Sequence, residues 1–76
     1  MEQILPGLAE RLKPLRKAKK MTQVEMAEFL GITDRHYQKI EYGQINVPAT
    51  TLIALADYFH VTTDYLLGRE GQDDRR

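Results

Sequence analysis

Asp34, Arg35, Gln38, Lys39 and Tyr42 are the residues of this chain whose types and spacing can do chemistry together. At about 100° per helical step they fall at about 0°, 100°, 40°, 140° and 80°. They share one polar face. Tyr37 and Ile40, at about 300° and 240°, point the other way. Arg and Lys pair with guanine O6 and N7, Gln pairs with adenine, and Asp accepts from cytosine N4. Such a face suits base edges in a major groove. The same residues on an unpartnered helix would form an ordinary solvated face, and the spacing alone leaves both readings open.

A reading face needs a helix and a scaffold that holds it outward. The chain predicts five short helical segments and no strand, because no run of four or more residues alternates apolar and polar with β-branched enrichment. The first is about Leu8 to Lys19, with Leu8, Leu12 and Leu15 on one face. Pro14 lies inside this pattern, which predicts a kink near Glu10 to Pro14 rather than a late start. The second runs from Thr22 to Leu30, with Thr22 and Glu25 forming a capping box and Gly31 as the stop. The third is Thr33 to Tyr42, capped by Thr33 and stopped by Gly43. Only Gly31 and Ile32 separate it from the second, which makes a tight helix-turn-helix. After a loop over 44–47, Pro48 suits the first turn of a fourth segment, Ala49 to Phe59. Leu52, Leu55, Ala56 and Phe59 form its inner face. A short fifth, Thr62 to Leu67, begins at the cap Thr62 and ends at Gly68. The predicted domain is 8–68, with an N-terminal extension over 1–7 and a disordered charged tail over 69–76.

Seventy-six residues make one domain at most, with a core of marginal size. The absence of Cys removes disulfides, thiolate zinc sites and Cys nucleophiles. A hydrophobic share of 42% at zero net charge argues against a disordered chain. No apolar run approaches the roughly 18 residues of a membrane span. Met1 to Glu10 lacks the pattern of a signal peptide, so the expected location is the cytoplasm. His36 and His60 have no partners at ligand spacing, so no metal is expected. No Gly-rich phosphate loop and no nucleophile–base motif occurs, so neither a cofactor nor a catalytic site is expected. Met21, Met26 and Phe29 read as core or near-core. An exposed Phe29 would mark a contact surface.

The stretch TQVEMAEFLGITDRHYQKIEYG resembles the helix-turn-helix of the phage repressor and Cro-like family of bacterial regulators, also called the xenobiotic-response-element family. LKPLRKAKKMTQ is similar to that family's first helix, and TTLIALADYFHVTTDYLLG to its last two. The resemblance covers about 60 residues, roughly Glu10 to Arg69. It implies an all-α, compact five-helix, lambda-repressor-like domain, with the helix-turn-helix formed by helices 2 and 3. It implies a sequence-specific regulator of transcription that binds double-stranded DNA, most simply a repressor. By position, Asp34, Arg35, Gln38 and Lys39 would read bases. Gln23 would touch a phosphate and brace the recognition helix, and Thr33 would combine capping with a phosphate contact. Arg16 and Glu41 occupy the positions of an ion pair that fixes this helix to the scaffold.

The loop after the third segment departs from the family. Many members carry Lys or Arg there, whereas Gly43-Gln44-Ile45-Asn46-Val47-Pro48 has none. Tyr42, Gln44 and Asn46 could still give phosphates neutral hydrogen bonds, which release few counterions. One helix reads about half a site, so a homodimer on a palindromic operator is expected. Its candidate surface is Tyr58, Val61, Tyr65, Leu66 and Leu67, joined by Ile4 and Leu5, unless these residues simply close the core. No small-molecule ligand is expected. The alternative is a protein-interaction module of the same fold, whose outward face would be apolar or acidic.

Charge is balanced overall but not along the chain. Residues 1–20 carry +4, while 21–48 and 49–76 each carry −2. Neutrality therefore does not exclude DNA. It predicts weak non-specific binding and a shallow dependence on salt.

Overall fold

A computed structural model describes residues 6–69 as five helices. They are α1 (Pro6–Ala18), α2 (Gln23–Leu30), α3 (Asp34–Glu41), α4 (Ala49–Phe59) and α5 (Thr63–Leu66). α3 packs on α1 and α2, and α5 packs on α4 and α1. The core lies between them, built on Leu8 and Leu12 of α1, Met26 and Ala27 of α2, Tyr37 and Ile40 of α3, Leu55, Ala56 and Phe59 of α4, and Leu66 of α5. Among the described residues, no helix is long and apolar enough to cross a membrane.

Helix starts follow local chemistry. The Thr22 hydroxyl accepts from the Glu25 N–H at 3.0 Å, and Glu25 Oε1 accepts from the Thr22 N–H at 2.8 Å. This reciprocal pair satisfies two backbone donors that the helix itself leaves free. The Thr33 hydroxyl accepts from the His36 N–H at 3.0 Å, and that of Thr62 from the Tyr65 N–H at 2.9 Å. Gly31 ends α2 at φ 72°, a left-handed conformation that glycine adopts without Cβ strain. The turn over 31–33 is thus closed from both sides, which sets α3 against α2.

Three details differ from expectation. α1 begins at Pro6, before the predicted Leu8, because proline suits a first turn where its missing N–H is not needed. As expected, it does not start late but continues through Pro14, which lies on the exposed side. Pro48 is the N-cap of α4 rather than part of its first turn. Its extended backbone (ψ 159°) lets its carbonyl accept from the Leu52 N–H at 3.1 Å. Arg69, assigned to the tail, donates its N–H to the Asp64 carbonyl at 2.8 Å and so finishes the turn after α5. The rest of the tail, 70–76, and most of the extension, with Ile4 and Leu5, lie outside the described residues.

Lys20 and His60 each adopt φ 58°, the left-handed region, at the ends of α1 and α4. At Lys20 the geometry closes α1: the Met21 N–H reaches the Arg16 carbonyl at 3.2 Å and the Lys20 N–H reaches that of Lys17 at 2.9 Å. Glycine is the usual occupant of this position.

Candidate nucleic-acid interface

α3 divides its residues as the helical projection requires. Asp34, Arg35 and Lys39 are exposed, Gln38 is half-buried, and Tyr42 just beyond the helix is 58% exposed. Tyr37, Ile40 and Glu41 face the interior. Two hollows flank the outward side. One, of about 280 Å³, is lined by Thr33, Arg35, His36, Lys39 and Ile45. The other, of about 250 Å³, is lined by Arg35, Gln38, Lys39, Tyr42 and Gln44. Arg35 and Lys39 are common to both, forming a cationic ridge between them.

What holds this ridge outward is the carboxylate of Glu41. Its Oε2 accepts from Arg16 Nε at 2.7 Å and from the Tyr37 hydroxyl at 2.8 Å. Its Oε1 accepts from Gln23 Nε2 at 2.8 Å and from Arg16 Nη2 at 3.2 Å. Arg16 Nη1 donates to the Met21 carbonyl at 2.7 Å, which also ties α1 to the start of α2. The predicted Arg16–Glu41 ion pair is present, buried, and bidentate.

The charges at this node are stabilised by one another. The hydrogen bond to Glu41 raises the Arg16 guanidinium above its ordinary value, against the opposing effect of burial. Burial works against the Glu41 carboxylate, but the hydrogen bonds from Arg16, Gln23 and Tyr37 outweigh it and hold the carboxyl below its usual range. Burial, then the bond to Glu41, pushes the Tyr37 hydroxyl upward, so it stays a proton donor.

Of the predicted phosphate-contacting residues, Thr33, Tyr42 and Gln44 line the two hollows beside α3. Gln23 is half-buried; its amide nitrogen donates to Glu41 and lies 3.5 Å from the Tyr42 hydroxyl oxygen. It therefore braces α3 directly. Thr33 is exposed, and its hydroxyl proton remains available because capping uses the oxygen. Gln44 is exposed at the rim of the smaller hollow, while Asn46 is half-buried in the following loop.

Sequence reasoning missed the polar role of Tyr37, taken only as an inward residue. The available signal was its position four residues before Glu41, one helical turn away on the same side.

The candidate dimer surface fares differently. Leu66 is fully buried and leaves that surface: α5 turns it into the core against α1 and α4. Tyr58, Val61, Tyr65 and Leu67 are half-buried. The Tyr58 ring lies 4.5 Å from that of Phe29, its hydroxyl donates to Met21 Sδ at 2.8 Å, and Lys19 Nζ sits 4.8 Å from its centre. The Arg11 guanidinium lies 5.7 Å from the Tyr65 ring centre. Phe29 is 45% exposed, which the sequence had left open.

Comparisons with known proteins bear on this geometry. A family model described as helix-turn-helix matches residues 12–66. An SPbeta prophage-derived HTH-type transcriptional regulator of Bacillus subtilis, YonR, is 44% identical over 86% of this chain and 61% of its own length. The cryptic phage CTXphi transcriptional repressor RstR of Vibrio cholerae is 35% identical over 91% of this chain and 62% of its own. The immunity repressor protein of Bacillus phage phi105 is 30% identical over 83% of this chain and 44% of its own. The chain thus spans less than two thirds of each of these relatives. The solution structure of the SOS-response transcriptional repressor LexA from Eubacterium rectale superposes with a TM-score of 0.79. It covers 99% of this chain and 80% of that one at 20% identity, a likeness of fold alone. With its helix-turn-helix register matched from α1 to α5, the chain belongs to the Cro-like helix-turn-helix family of transcriptional regulators.

Proposed function

We propose that this chain is a sequence-specific double-stranded DNA-binding repressor that places α3 in the major groove of an operator. The observation that carries this reading is the outward face of α3. Arg35, Gln38 and Lys39 project from a helix whose other side is fixed by a bidentate, buried ion pair. A module silenced for DNA would present an apolar or acidic face there, and this one is polar with two cations. Asp34, Arg35, Gln38 and Lys39 read base edges. Thr33, Tyr42, Gln44 and Asn46 fix the register on the phosphates. Gln23 adds its contact at the start of α2, where free N–H groups favour an anion.

The chain acts as a homodimer, at least on DNA, with two α3 helices entering successive major-groove turns roughly 34 Å apart. Tyr58, Val61, Tyr65 and Leu67 supply the contact between copies, in the cytoplasm where the operator lies. Relatives named as repressors support the regulatory sense of the reading. Selection of bound duplexes from a random pool tests it: an enriched, inverted-repeat sequence is expected. A pool that stays random after repeated rounds would overturn the reading. A monomer by ultracentrifugation, both free and with the selected duplex, would remove the dimer alone.

A further inference from the structure

The hollow on the His36 side of α3 has a composition that the polar reading face does not use. Its walls are Arg35 and Lys39, shared with the other hollow, together with Thr33, His36 and the apolar side chain of Ile45. Ile45 is half-buried and packs against the core, so its position is fixed rather than free. His36, exposed on the first turn of α3, lines the same hollow. No acidic side chain lines this hollow, so nothing in it repels a duplex. The loop that delivers Ile45, residues 43–48, carries no basic residue, and it presents an aliphatic group beside the cationic ridge.

A base edge in the major groove offers one apolar group, the methyl on C5 of a pyrimidine, carried by thymine and by 5-methylcytosine. We infer that the hollow between His36 and Ile45 receives such a methyl group, which makes these two residues specificity determinants beyond the polar face. The inference rests on the proposed DNA reading, because it requires Arg35 and Lys39 to lie in the groove. Ile45 gives the methyl an apolar wall out of water. The His36 ring supplies a second wall of the same hollow.

The experiment is an analogue scan of the selected duplex. Each thymine is replaced singly by uracil, which removes only the methyl, and each cytosine by 5-methylcytosine, which adds only a methyl. For the unsubstituted protein, uracil should weaken binding about four-fold at one position per half-site, the worth of one buried methyl group. Where that position is a cytosine, methylation should strengthen binding by a similar factor. The Ile45→Thr variant should lose this sensitivity, with its fold checked by thermal melting. His36→Ala, an exposed change that leaves the backbone bond to Thr33 intact, should reduce it. A flat scan overturns the inference and leaves DNA reading standing. So does a methyl effect that persists undiminished in both variants, since the methyl is then read elsewhere. If no preferred duplex is selected, the underlying reading falls and this inference falls with it.

Discussion

The two sides of α3 carry similar chemical groups in opposite circumstances. On the inward side, Glu41 and Arg16 are buried, and four hydrogen bonds converge on one carboxylate. On the outward side, Arg35 and Lys39 stand in solvent. A buried charge depends on its partners, because desolvation leaves it nothing else to interact with. An exposed charge keeps its hydration and is free to engage a ligand. The inner face therefore governs whether α3 is held, and on the proposed reading the outer face governs what it binds. Damage to the first should appear as lost stability, and damage to the second as lost affinity with stability intact.

The sharpest break in this comparison is Glu41→Ala. It strands the Arg16 guanidinium and should reduce unfolding free energy by about 3 kcal/mol in chemical denaturation. The combined change Arg16→Met, Tyr37→Phe and Glu41→Leu should recover most of that loss, since it removes both charges together and leaves no buried Tyr37 hydroxyl without its acceptor. If the combined change is no better than the single one, burial of the charge is not the controlling term. On the outer face, Arg35→Ala or Lys39→Ala should weaken operator binding by about 1–3 kcal/mol and relax the preference at one base. Each should leave the unfolding free energy within about 0.5 kcal/mol. Equal losses on operator and random DNA would count against base reading.

Tyr37→Phe removes one of the four bonds at Glu41 and nothing apolar. A loss of about 1.5 kcal/mol is expected by denaturation, the scale of a bond to a charged group. Acid sensitivity follows from the same carboxylate. Its folded pKa lies below the ordinary value, so its stabilisation is present above about pH 5 and fades as pH falls through the folded pKa. In a pH series, the combined Arg16→Met, Tyr37→Phe, Glu41→Leu variant should unfold less steeply with acid than the unsubstituted chain. The smallest effect is expected away from both faces. Lys20→Gly relieves a left-handed backbone and should raise stability by about 0.5–1 kcal/mol, read as a higher melting temperature.

Legibility in the sequence tracked the distance over which each interaction acts. Thr22 with Glu25, and Thr33 and Thr62 as caps, were readable because their bonds span three residues. The division of α3 into Arg35, Gln38 and Lys39 outside and Tyr37 and Ile40 inside was readable because helical geometry alone fixes it. The Arg16–Glu41 pair came from the family resemblance, since no local rule links residues this far apart in sequence. Leu66 was misplaced because an apolar residue on a short terminal helix suits a core and a dimer surface equally well. The side that α5 turns toward α1 and α4 decided it.

The sequence by itself determined the capped starts of α2, α3 and α5, the glycine stops, the helix-turn-helix and the polar face, all set by bonds within a turn or two. Only the tertiary structure decided that Gln23 and Tyr37 join Arg16 at one carboxylate. It also decided that the Tyr58 ring packs at a tilt against Phe29 and that Ile45 walls a hollow beside Arg35 and Lys39. These contacts require helices and loops far apart in the chain to be packed at a particular angle and depth. That packing is fixed by the shared core, to which every helix contributes.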